Sequence, residues 1–168
     1  MSTATEPTKP GLLTRINRLP GWQFTLTLYL LRWAIVIPLG YLLNPTSSAT
    51  DRAQLQNVDL TNFFLTGVLL DPLVETVVEC SLVYIVLHSI LRVSTQRVLP
   101  FVFCSAMAMV LLHPLTPIVF TFAFITGLFL AYVYAHFAPI NHIRAIKHTA
   151  AFHAGINLVG WAMMWLQK

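Results

Sequence analysis

L-L-D-P-L-V-E-T-V-V-E-C-S-L-V-Y-I-V-L, residues 69–87, decides how this chain is read. The stretch is apolar and belongs to a segment of membrane length, yet Asp71, Glu75 and Glu79 recur within it at every fourth position. Side chains at i and i+4 of a helix share a face, so the three carboxyls form one stripe. A charge at the centre of a bilayer costs roughly 3 kcal/mol even on the lenient insertion scale. Three on one face therefore look into a helix bundle or a wet cavity, and a site is expected there.

Composition widens that reading to the whole chain. The 168 residues are 57% hydrophobic and 10% charged, and the mean hydropathy is +0.71. Soluble domains carry about 25% charged residues, so the pattern is that of an integral membrane protein. The fold class expected is all-α, a bundle of about five transmembrane helices. They cover roughly residues 22–43, 62–91, 99–113, 115–137 and 146–166. The second is longer than a straight crossing needs, which predicts a tilt, a protrusion or a kink near Pro72. The third runs into His113-Pro114 and makes a tight hairpin with the fourth.

The first 21 residues are polar, with Pro7, Pro10 and Pro20, and read as a cytoplasmic leader rather than a cleaved signal peptide. Residues 22–168 form the transmembrane domain. The net charge of +4 is no argument for nucleic acid; in so apolar a chain it means a basic cytoplasmic rim. Lys9, Arg15, Arg18, Arg92, Arg97, Arg144 and Lys147 all fall on one side of the five spans, against Arg52 and Lys168 on the other, where Asp51 and Asp59 offset Arg52. That asymmetry predicts a cytoplasmic N-terminus in the inner membrane. Cys80 and Cys104 lie in separate apolar segments and suggest neither a disulfide framework nor a zinc knuckle.

Each polar constellation has a functional and a structural reading. Glu75, with Asp71 and Glu79, suits a general base or a proton relay, or a neutral acid bonded to a neighbouring helix. Asp71 also suits the cap of a helix beginning at Pro72. His113 closes S-A-M-A-M-V-L-L-H-P, where a lone histidine is often interfacial. H-A-G-I-N puts His153 and Asn157 one turn apart on one face, either as packing glue or as donors converging on a cavity. Gly155 and Ala151 add a small-residue face beside them. Helical rise places Glu75, His113 and His153 near the midplane, where they can meet in one layer. Arg32, within T-L-Y-L-L-R-W-A-I-V, needs a partner in the acid stripe, Glu79 for instance, or snorkels to the surface.

These residues resemble the three motifs of the CPBP (CAAX protease and bacteriocin-immunity, or Abi) family of intramembrane glutamic endopeptidases. D-P-L-V-E-T-V-V-E-C-S follows the first motif with Glu75 as its first glutamate. M-V-L-L-H ends at His113 as the second motif's Phe-x-x-x-His does, and His153 with Asn157 matches His-x-x-x-Asn fully. T-G-L-F-L-A-Y-V-Y is similar to the family's small-residue penultimate helix, and the resemblance covers about residues 62–163. Thr76 stands in place of the second glutamate, Cys80 in place of the arginine, and Met109 in place of the phenylalanine.

The resemblance implies a hydrolase without cofactor. Glu75, assisted by His113, deprotonates a water that attacks a peptide carbonyl, and His153 and Asn157 hold the oxyanion. Its implied partners are membrane lipid and a membrane-associated protein or peptide. Three alternatives remain open at this point. Glu75, Glu79, His113 and His153 could ligate zinc or another divalent metal. A catalytically degenerate member could act as an immunity or scaffold protein, or the acid stripe could serve a proton-coupled transporter.

Overall fold

The computed structural model describes residues 11–43, 59–114 and 116–166. The first ten residues of the polar leader, including Lys9, lie outside the described residues, as do Asp51, Arg52 and Lys168. Every regular element among the described residues is helical. A short α1 (Leu12–Asn17) leads through Pro20 into α2 (Gly21–Leu43). The long α3 follows at Leu60–Ile90, then α4 (Val98–Leu111), α5 (Pro117–Phe137) and α6 (His142–Leu166). The helix starts are written locally. Asp59 accepts from the backbone N–H of Thr61 and Asn62 at 3.0 and 3.1 Å. Thr116 accepts from Val119 N–H just before Pro117, and Asn141 from Arg144 N–H. The cap that the Asp71-Pro72 pair suggested is thus supplied by Asp59, and Asp71 lies inside a continuous helix.

Helix α3 is not a regular α-helix. Its segments Phe64–Leu70, Thr76–Leu82 and Val86–Ile90 are π-helical, closing bonds to the fifth residue back, with an α-helical turn at Asp71–Glu75. Proline gives one reason. An α-turn ahead of Pro72 drives its ring against the carbonyl four residues back. Here the Asp71 N–H bonds to Thr66 O instead, which widens the turn.

Three helices, Gly21–Leu43, Leu60–Ile90 and Pro117–Phe137, are long and apolar enough to cross a membrane. Helix α4, at 14 residues, is only about 21 Å long against a hydrocarbon core of about 30 Å. Helix α6 has 25 residues and a polar first turn. Of α2, only Phe24, Leu28 and Arg32 are buried, one stripe at i, i+4 and i+8. Leu26, Leu30, Ile35, Ile37 and Leu42 point outward. An apolar surface of that extent suits lipid rather than water, and the chain is an all-helical bundle built as an integral membrane protein.

The cross-helix contacts fix the directions. Trp161 Nε1 donates to Leu60 O at 2.9 Å, Asn157 Nδ2 to Gly67 O, and His153 meets Glu75, so α3 and α6 are antiparallel. Thr25 meets His148 and Tyr29 donates to Gly155 O, so α2 and α6 run together. Arg32 meets Thr126 while Phe24 stacks on His136, so α2 and α5 oppose. One end of the bundle thereby collects Arg15, Arg18, Arg92, Arg97, Arg144 and Lys147; the other, among the described residues, carries Asp59. Helices α4 and α5 approach closely at Gly127, where a Cβ would lie 2.7 Å from Ala106 Cα. Only glycine fits there.

Candidate functional site

A cavity of about 390 Å³ opens in the half of the bundle away from the basic end. Helix α3 lines it with Phe63, Gly67, Asp71 and Glu75, and α6 with His153, Ile156 and Asn157. Arg32, Met109, His113, Ala123 and Thr126 complete the polar and central parts of its wall. Glu75, His113, His153 and Asn157, remote from one another in sequence, are thus gathered around one space. Asp71 stands exposed at its edge.

The pair at the centre is Glu75 Oε2 and His153 Nε2, 3.4 Å apart, with the histidine side chain 4% exposed and the glutamate 24%. That geometry leaves the carboxylate open to the cavity on one side and oriented by the ring on the other. His113 lies just past the end of α4 and curls back, its Nδ1 2.8 Å from Met109 O. A carbonyl only accepts, so Nδ1 carries the proton and a neutral His113 presents a bare Nε2. A carboxylate and an imidazole lone pair facing one cavity can take a proton from water or from another hydroxyl.

Asn157 has a definite structural duty. In a π-turn the carbonyl of Gly67 would receive the N–H of residue 72, which is proline and has none. The Asp71 N–H already goes to Thr66 O. The orphaned Gly67 carbonyl is satisfied by Asn157 Nδ2 at 2.7 Å. The second N–H of that amide remains for the cavity.

Arg32 departs from both expectations for it. It is 6% exposed, so it does not snorkel. No carboxylate of the described residues pairs with it either: Nη2 donates to Thr126 Oγ1 at 3.1 Å, and the guanidinium lies 4.5 Å from the centre of the Trp33 ring. Its place in the cavity wall gives the site a fixed positive charge on the side of Glu75, not of Glu79.

Glu79 is separated from the other acids. It is 1% exposed, neither oxygen has a hydrogen-bond partner, and it does not line the cavity. Glu79 sits one turn deeper than Glu75, below the part of the bundle that the cavity reaches. Thr149 and Ser105, one turn nearer the basic end than His153 and Met109, are likewise buried without partners. With Cys80 and Leu130, also 1% exposed, they close the floor of the cavity. The four-residue metal set of Glu75, Glu79, His113 and His153 therefore does not assemble. Among the described residues no three His, Cys, Asp or Glu side chains are grouped to hold an ion.

Sequence reasoning missed Gly67 and Thr126. Neither had a usable signal: α-helical spacing before Pro72 points to the carbonyl of Val68 rather than Gly67, and a lone threonine in an apolar helix is ordinary. No family model, curated protein or solved structure matches the chain.

Proposed function

We propose that this protein is an intramembrane endopeptidase of the glutamic, CPBP-like type, cleaving a membrane-associated protein or peptide with a water activated at Glu75. The observation that carries the reading is the Glu75–His153 contact at 3.4 Å inside a cavity that His113 and Asn157 also line. These residues come from three helices and occupy the positions of the three motifs the sequence resembles. Glu75 takes the proton of water, with the bare Nε2 of His113 beside it. His153 and the free N–H of Asn157 then donate to the oxyanion, donors of a kind worth several kcal/mol in a dry site. Arg32 supplies positive charge to the wall, offsetting the absence of an arginine at Cys80.

The basic end is proposed to face the cytoplasm of an inner membrane, with the N-terminus inside. The test of the activity is cleavage of a membrane-inserted reporter library by the purified protein. Cleavage by the wild type that Glu75→Ala and His153→Ala both abolish is the expected result. Intact reporters with correctly folded wild type would instead favour the second reading, a degenerate member that binds another membrane protein. The observation behind that reading is Cys80, which stands where the family's arginine would be and packs into the core, away from the cavity.

A further inference from the structure

The cavity occupies one half of the bundle, and its lining says which. On α3 its lining runs from Phe63 to Glu75, about 18 Å of the half farther from the basic end. On α4 it uses Met109 and, beyond the helix, His113; on α5 the opening turns from Val119; on α6 the positions from His153 onward. Every one of these lies at or beyond the bundle's middle. Toward the basic end the route is shut by the buried Glu79, Ser105 and Thr149, and then by Tyr84, Phe101 and Tyr134, packed ring on ring.

We infer that the cavity is entered from the non-cytoplasmic side of the membrane, and that its substrate is an extended peptide segment presented there. The inference rests on the peptidase reading for the nature of the substrate and on the positive-inside assignment for the side. Glu75 lies 15 residues from Leu60, where α3 begins, a depth of at most about 22 Å, because the π-turns at Phe64–Leu70 rise less per residue. A peptide reaching it from the far surface needs up to about seven extended residues at about 3.3 Å each. Cleavage then falls up to about seven residues inside the far end of the substrate's apolar segment.

The experiment is thiol accessibility in the full chain with Cys104→Ser, Cys80 being buried. Single cysteines are placed at Val119 in the cavity wall, at Asn62 on the far end and at Ser94 on the basic end. A membrane-impermeant methanethiosulfonate is applied to right-side-out and to inverted vesicles. Val119→Cys and Asn62→Cys labelled only in right-side-out vesicles, with Ser94→Cys labelled only in inverted ones, is the expected outcome. Reaction of Val119→Cys in inverted vesicles, or in neither, overturns the inference. Should Val119→Cys fail to insert, Phe122→Cys on the same wall takes its place. Labelling needs no turnover, so a correct pattern with an inert reporter library sinks the peptidase reading alone, and a reversed Ser94→Cys sinks the orientation.

Discussion

Histidines occupy both ends of this bundle, and the two sets are held differently. At the basic end their ring nitrogens or faces are taken up by neighbours. His148 stacks on Phe137 at 4.1 Å and faces Thr25 Oγ1 at 3.3 Å. That hydroxyl gives its only proton to Gly21 O, so His148 Nδ1 must donate. His142 meets the Tyr134 hydroxyl at 3.0 Å, His88 reaches Val93 O, and His136 lies flat on Phe24. In the cavity, His153 points at an acid and His113 keeps one nitrogen bare. A histidine absorbed by its surroundings holds helices together; one left facing a carboxylate and a space is available to react.

The sharpest way to break that contrast is to exchange the roles. Glu75→Ala and His153→Ala should each cost about 10²–10⁴ in kcat/KM, the usual worth of a positioned acid or base, whereas His148→Ala should retain turnover. Equal losses in all three, measured on one reporter, would erase the distinction. The largest structural effect is expected where α4 meets α5. Gly127→Val forces a Cβ onto the Ala106 backbone, and overpacking of that kind costs about 1–3 kcal/mol or more; thermal unfolding in lipid reads it.

Asn157→Ala should cost about 1–3 kcal/mol, because it strands the Gly67 carbonyl in a buried setting, and should lower turnover as well. An unchanged Tm would show that water replaces the amide. Glu79→Leu has the opposite sign. It removes a buried carboxyl with no partner and should leave stability level or raise it by about 1–3 kcal/mol; a drop in Tm would reveal a partner that Glu79 does have. Smallest is Tyr134→Phe at the basic end. It loses one bond to His142, about 0.6 kcal/mol for an interhelical bond in a membrane, with turnover intact.

The bundle was legible because hydropathy over 20 residues is a strong signal, and all five expected segments form helices. The gathering of Glu75, His113, His153 and Asn157 was legible for a narrower reason. Polar residues in apolar helices have few places to go, and helical rise put them at one depth. What could not be read was anything that depends on the turn-by-turn state of α3. Regular α-spacing promised a stripe of three acids on one space, while the cavity reaches only Asp71 and Glu75 and leaves Glu79 buried below it. Arg32 was legible only as a charge in need of a partner or of the surface; its partner, Thr126, sits 94 residues away with no mark on it. The aromatic and histidine stacks of the basic end escaped for the same reason, since they exist only once α2, α5 and α6 have met.

The π-turns of α3 also bear on how this helix can change length. A turn that closes on the fifth residue holds one residue more than a turn that closes on the fourth. Removing one residue from Phe64–Leu70 lets that turn tighten to an α-turn while Glu75 keeps its bearing toward His153. The same deletion in the regular α5 has no slack to draw on and swings everything beyond it by about 100°. Among the described helices, α3 is the one that carries spare length, and it carries it just ahead of the turn that holds the acid at the centre of the site.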